Sequence, residues 1–247
     1  MIPPSAFPTL IAAAALALTG CKTDEVASRD SSGGRSSTLG KVLVVNQVSP
    51  TLTRHVIALT AFGNKTETDI PLADVRDYQT EEFRQELSPF SRSVETLNLP
   101  SEEDLESAEI AKLGREFGVD MIVVIHPGNY YPYGVPSYMK TTGYGQYSRV
   151  IGKRSPDDDI AYLSSSYLLF DAPSGKRIDR ITNAFKKTSV LSTQPYNVEY
   201  FDNGKYEYPY SNYSEAQKRQ AKTALKVIIS RNAKLAVEKM VKKVSKE

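Results

Sequence analysis

A single cysteine, Cys21, occurs in the 247 residues of this chain, so neither a disulfide nor a cysteine-based zinc site can hold its fold. Stability has to come from buried apolar surface. Hydrophobic residues make up 40% of the chain, and the roughly 205 residues beyond position 40 are enough for one sizeable core, or for one core with a large insertion. The apolar material ahead of Cys21 does not belong to that core. Residues 1–20 carry no charged side chain, and Leu10–Leu18 is wholly apolar. That run is too short for a helix across a hydrocarbon layer of about 30 Å, which takes about 20 residues. It reads as a removable targeting segment.

Leu18-Thr19-Gly20-Cys21 resembles the lipobox of bacterial lipoprotein precursors, in which small residues admit the peptidase and the cysteine thiol receives the lipid. The resemblance implies cleavage before Cys21, lipidation at Cys21 and attachment to a membrane by acyl chains. Each buried methylene then contributes about 0.8 kcal/mol. Lys22 stands where an inner-membrane retention signal usually has Asp, so the resemblance implies the outer membrane, with the domain facing the periplasm. Asp30-Ser31-Ser32-Gly33-Gly34-Arg35-Ser36-Ser37 has no apolar residue and predicts a tether. The expected organisation is a signal peptide over 1–20, a lipidated cysteine and tether over 21–40, and a soluble domain over 41–247.

Runs of β-branched residues bounded by turn residues predict strands at Lys41–Val45 and His55–Phe62, with Pro50 between them. Val75, Tyr78, Phe83 and Leu87 mark one face of a helix over Leu72–Leu87, stopped by Ser88-Pro89. A strand is expected at Ser93–Leu99. Ser101-Glu-Glu-Asp104 resembles a capping box ahead of an amphipathic helix that carries Leu105, Ile110, Leu113 and Phe117 and closes at Gly118. Val119–His126 reads as a buried strand, and Ala161–Phe170 with Arg177–Val190 as a hairpin about the turn Asp171–Gly175. A basic helix ends the chain. The expected fold class is therefore α/β: a mixed sheet of about five to six strands with helices packed on it, plus Tyr-rich hairpin insertions at 127–159 and 192–213.

Three stretches carry a family resemblance. Ala61-Phe-Gly-Asn-Lys-Thr66 resembles the end of the first strand in the TolB amino-terminal domain. Ala111-Lys-Leu-Gly-Arg-Glu-Phe-Gly-Val-Asp120, continuing into Met121–Ile125, resembles the helix-to-strand step of that superfamily, and Tyr167–Lys176 resembles its hairpin. Similar pieces occur in the curli-secretion channel subunit CsgG and the penicillin-binding-protein activator LpoB. The likeness spans about Arg54–Leu191 plus the last helix. It implies an α/β lipoprotein domain; for function it implies only a choice among binding envelope proteins, forming an export pore and activating a synthase.

The two insertions hold twelve of the fifteen tyrosines. Tyrosine joins a large apolar face to a polar tip at low entropic cost, which suits recognition. Tyr130, Tyr131, Tyr133, Tyr200, Tyr206 and Tyr208 are accordingly the candidate binding residues; the alternative is edge hairpins whose tyrosines shield the core. Asn203-Gly204 is a hairpin-turn signal. Membrane-spanning strands need about 9–11 residues, and Pro132, Pro136, Pro195 and Pro209 cut the candidate arms shorter, which disfavours a pore.

The residues offer little chemistry. His55 and His126 are the two histidines, each at an end of an apolar strand, where a structural role outweighs that of a general base. Ser174-Gly175-Lys176 lacks the rest of a phosphate-binding loop, and Asp157-Asp158-Asp159 lacks the alternation of a calcium loop. No catalytic residue, metal or cofactor is expected. The net charge of +2 argues against nucleic acid as a partner, although Ser214–Glu247 holds ten Lys or Arg against three Glu. The expected role is a non-enzymatic periplasmic lipoprotein that binds an envelope protein or a peptidoglycan-associated partner. An oligomeric subunit of an export or assembly complex, and hence a homo-oligomer, is the alternative, and a hydrolase using His126 a third.

Overall fold

The first apolar run forms β1 (Lys41–Asn46), in which every residue after Lys41 is buried. Burial on both faces removes any polar alternation and marks an internal strand of a parallel group. Its neighbours are β4 (Ser93–Asn98) and β5 (Met121–Pro127), both parallel to it. In this computed structural model the described residues are 38–58, 65–130, 141–150, 159–182, 198–200 and 214–246. Those from Thr38 onward fall in one compact unit.

The remaining strands are β2 (Thr51–Ala58), β3 (Lys65–Pro71), β6 (Asn129–Tyr130), β7 (Thr141–Val150), β8 (Asp159–Asp171), β9 (Arg177–Thr182) and β10 (Val198–Tyr200). The sheet runs β3-β2-β7-β8-β5-β1-β4, with β10 and β9 also on β8 and β6 on β7. It is mixed and has ten strands, more than the five to six expected. The long β8 joins two groups. Its first half lies between β7 and β10, and its second half between β5 and β9.

Helices α1 (Ala73–Leu87), α2 (Ser107–Phe117) and α3 (Glu215–Val244) pack on the sheet. Val75, Gln79, Phe83 and Leu87 recur every fourth residue on the buried face of α1, and a short 3-10 turn containing Pro89 follows it. The core divides into two clusters. One joins Phe83 of α1 and Leu225, Ile228 and Ile229 of α3 to Val44, Val123 and Tyr167; the other joins Ile110 of α2 to Leu43, Val45, Ile122, Val124 and Phe170. The first ring pair, Phe83 on Tyr167, has centroids 4.8 Å apart.

Several boundaries differ from expectation for local reasons. The cap of α2 lies at Glu106, whose N–H donates to Glu109 Oε2 at 2.8 Å, while Ser101 Oγ accepts from Glu103 N at 3.1 Å. Gly118 does end α2, at φ 61°. β2 begins at Thr51 rather than His55, and the polar stretch Lys65–Pro71 pairs with it as β3. Within the stretch read as an insertion at 127–159, β7 lies between β2 and β8, and its Tyr144 and Tyr147 are core residues.

Candidate functional site

Two of the six candidate tyrosines fall in described backbone. Tyr130 in β6 pairs with Thr141, at the start of β7. Tyr200 in β10 pairs with Ile160, which itself faces Tyr147 of β7. Six residues of β7 therefore separate the two levels, roughly 20 Å at the strand rise of about 3.3 Å per residue. Tyr131, Tyr133, Tyr206 and Tyr208, Asn203-Gly204, and Cys21 with its flanking segments lie outside the described residues, as does Asp157-Asp158. Both Tyr-bearing stretches are thus rooted on the same strand pair, β7–β8, at different levels.

His126 occupies the end of β5 and is held from both sides. Gln47 Nε2 donates to the Glu103 carbonyl at 3.0 Å, which leaves Gln47 Oε1 to accept from His126 Nδ1–H, also at 3.0 Å. Nε2 then faces Asp104 Oδ1 at 3.4 Å. Burial lowers the imidazole pKa, Asp104 opposes this, and Arg180 adds to the lowering. Across the ladder Ser166 stands opposite His126, yet its buried Oγ has no partner among the described residues. A serine nucleophile would need that bond, so this geometry is not that of a Ser–His pair. Beside it an open cleft of about 510 Å³ is lined by Asp104, Leu105, Glu106, Ser107, Leu168, Phe170 and Arg177.

His55 Nδ1 lies 3.0 Å from Thr66 Oγ1, and burial lowers its pKa. Arg54, fully buried on the same strand, meets Glu67 Oε2 at 2.8 Å. Tyr144 donates to Gln79 Oε1 at 2.6 Å, Gln79 Oε1 also accepts from Asn46 Nδ2 at 3.3 Å, and burial raises the phenol pKa well above its usual value. These polar groups are wired into the core and present no reactive group to solvent. Sequence reading missed this network because asparagine, glutamine and tyrosine at such positions carry no pattern apart from their neighbours in space.

Ser174-Gly175-Lys176 is a turn. Asp171 Oδ2 accepts from the N–H and hydroxyl of Ser174, so the side chain that shapes the turn is already engaged. No cluster of three or more potential metal ligands occurs among the described residues. No helix among them is long and apolar enough to cross a membrane.

No family model matches the chain, and no curated protein matches it. Among solved structures, the PelC dodecamer from Paraburkholderia phytofirmans overlays with TM-score 0.32 and 10% identity, covering 82% of this chain and 94% of that one. A point variant of that dodecamer in a second crystal form gives 0.28 and 11%, covering 82% and 96%. Likeness at that level carries no argument about what this chain does.

Proposed function

We propose that this chain is an outer-membrane lipoprotein, lipidated on Cys21 and facing the periplasm, that binds an envelope protein or a peptidoglycan-associated partner without catalysing a reaction. The observation that carries the reading is Leu18-Thr19-Gly20-Cys21 after its apolar run, with 17 residues between Cys21 and Leu39, the first buried one among the described residues. Its relation to the TolB amino-terminal, CsgG and LpoB-like group is supported by where two of the three resembling stretches fall: one is the α2–Gly118–β5 step, the other the β8–β9 hairpin.

The Tyr-rich stretches rooted on β7–β8 are the proposed contact surface. Crosslinking and pull-down from intact envelopes would compare the wild type with Tyr200, Tyr206 and Tyr208 changed to Ser. Capture of one envelope component that vanishes in the variant supports the surface; unchanged capture removes it. Metabolic labelling with a palmitate analogue tests the anchor separately, and label that persists in Cys21→Ala would overturn the lipidation site.

One observation favours an oligomeric assembly subunit as a second reading. β3 and β4 end the strand path, and each has one edge without a strand partner among the described residues. Unpaired edges are templates for a neighbouring chain. A detergent-stable ring of defined size, without another captured protein, would favour this reading over the first.

A further inference from the structure

Leu39 N–H donates to the Phe90 carbonyl at 3.0 Å, and Arg92 N–H to Gly40 O at 2.7 Å. Asp120 N–H donates to Lys41 O at 2.9 Å, and Ala172 N–H to Asp120 O at 3.0 Å. The beginning of the domain, the carboxy-terminal ends of α1 and α2, and the β8–β9 turn therefore share one end of the sheet. α3 runs in the same sense as α1: Lys222 meets Asp74 at 2.8 Å, and further along both helices Ser230 meets Tyr78 at 2.8 Å. Its last turns therefore run toward that same end, and Met240, Val241 and Val244 pack in the core cluster that also holds Leu39 and Phe90.

Cations are in excess at that end. Lys41, Arg92, Lys239, Lys242 and Lys246 are exposed there, against the exposed carboxylates of Glu116 and Asp120 and, in the last turns of α3, Glu238. The opposite end carries an acidic loop: between Arg92 and Lys112 there is no Lys or Arg, and Glu102, Glu103 and Asp104 are exposed, while the first turns of α3 bring Lys218, Arg219 and Lys222 toward the same end. Neutralisation of helix C-termini, each equivalent to about half a negative charge, accounts for cations in the last turns, Arg84, Arg115, Lys242 and Lys243. It does not account for Lys41 and Arg92 at strand starts, nor for Lys246 beyond the helix.

We infer that this basic end, formed by the last turns of α3 with Lys41 and Arg92, docks on anionic phospholipid headgroups, so that the domain sits on the bilayer with the acidic loop Glu102–Asp104 pointing away. The inference rests on the anchored reading above for its geometry. The chain leaves the domain at Leu39, on this end, and the 17 residues back to Cys21 span at most about 60 Å. Weak individual contacts suffice at the local concentration so short a connection sets. Each lysine near an anionic surface strengthens binding roughly fivefold.

The test uses the mature chain, residues 21–247, carrying Cys21→Ser, so that neither an acyl chain nor the apolar run over 10–18 contributes, and measures cosedimentation with vesicles of phosphatidylglycerol and phosphatidylcholine or of phosphatidylcholine alone. The quadruple variant Arg92→Gln, Lys239→Gln, Lys242→Gln, Lys246→Gln is compared with the variant Glu102→Gln, Glu103→Gln, which alters the other end. The expected result is salt-sensitive binding to the anionic vesicles that falls a few hundredfold in the quadruple variant and is not weakened in the acidic-loop variant. Equal binding of the parent and the quadruple variant, equal binding to neutral vesicles, or binding to purified peptidoglycan sacculi instead of vesicles would each overturn the inference. Because Cys21 is absent from every protein in this assay, its outcome is independent of whether palmitate labels the native chain.

Discussion

Gly175→Ala separates two costs that glycines at positive φ usually confound. Gly175 (φ 67°) and Gly118 (φ 61°) both sit in the left-handed region, where a Cβ costs about 1–2 kcal/mol. Their surroundings differ. A Cβ on Gly118 meets nothing within 4 Å, whereas one on Gly175 collides with the Ser107 carbonyl oxygen and lies 2.8 Å from its carbon and 3.1 Å from its Cα. Those are backbone atoms at the start of α2, so relief requires moving the helix. That movement would also break the close seating of Gly114 on the same turn, where its Cβ position is 2.8 Å from the Ala172 carbonyl oxygen. Overpacking of this kind adds about 1–3 kcal/mol, so Gly175→Ala is expected to cost about 2–5 kcal/mol and Gly118→Ala only about 1–2. In a domain of this size each kcal/mol lowers Tm by about 2–4 °C. Melting followed by far-ultraviolet circular dichroism should place Gly175→Ala below Gly118→Ala. Equal shifts would refute the claim that α2 is clamped on the β8–β9 turn.

Phe83→Ala empties a fully buried site against Tyr167 and should cost about 3–5 kcal/mol; a Tm change below about 3 °C would show that the two helices and the sheet do not share one core there. The pKa values of His55 and His126 are lowered below 6.5 in the folded chain. The unfolded chain therefore binds more protons as pH falls, and the stability these groups contribute is present above 6.5 and lost as pH drops through the folded values. Melts at neutral and mildly acidic pH should show this decline, and the double variant His55→Gln, His126→Gln should show less of it. An unchanged acid decline in that variant would assign it to other groups.

The parts of the fold legible in the residues are those set by near neighbours in the chain. β1 and β5 are centred on unbroken apolar runs rich in valine and isoleucine, α1 repeats an apolar residue at helical spacing, Gly118 stops α2, and Asp171–Gly175 turns the β8–β9 hairpin. β7 was not legible. Thr141–Val150 has glycines and polar residues where an exposed loop would have them, and becomes a strand because β2 and β8 supply partners on both edges. Gly145 in it leaves room for the Tyr162 ring, which a Cβ would strike.

For the candidate sites the same division holds. Sequence by itself determined the signals read locally: the apolar run Leu10–Leu18, the tetrapeptide Leu18–Cys21, the concentration of tyrosines, and the bias of lysine and arginine toward the last helix. Tertiary structure alone decided that Tyr144 and Tyr147 belong to the core, that His126 is held between Gln47 and Asp104, and that α3 runs in the sense of α1, its last turns toward the end that holds Leu39. The physical reason is range. Periodicity, capping and turn chemistry act over a few residues, whereas burial, shifted ionisation and the meeting of distant charges depend on which strands and helices come together.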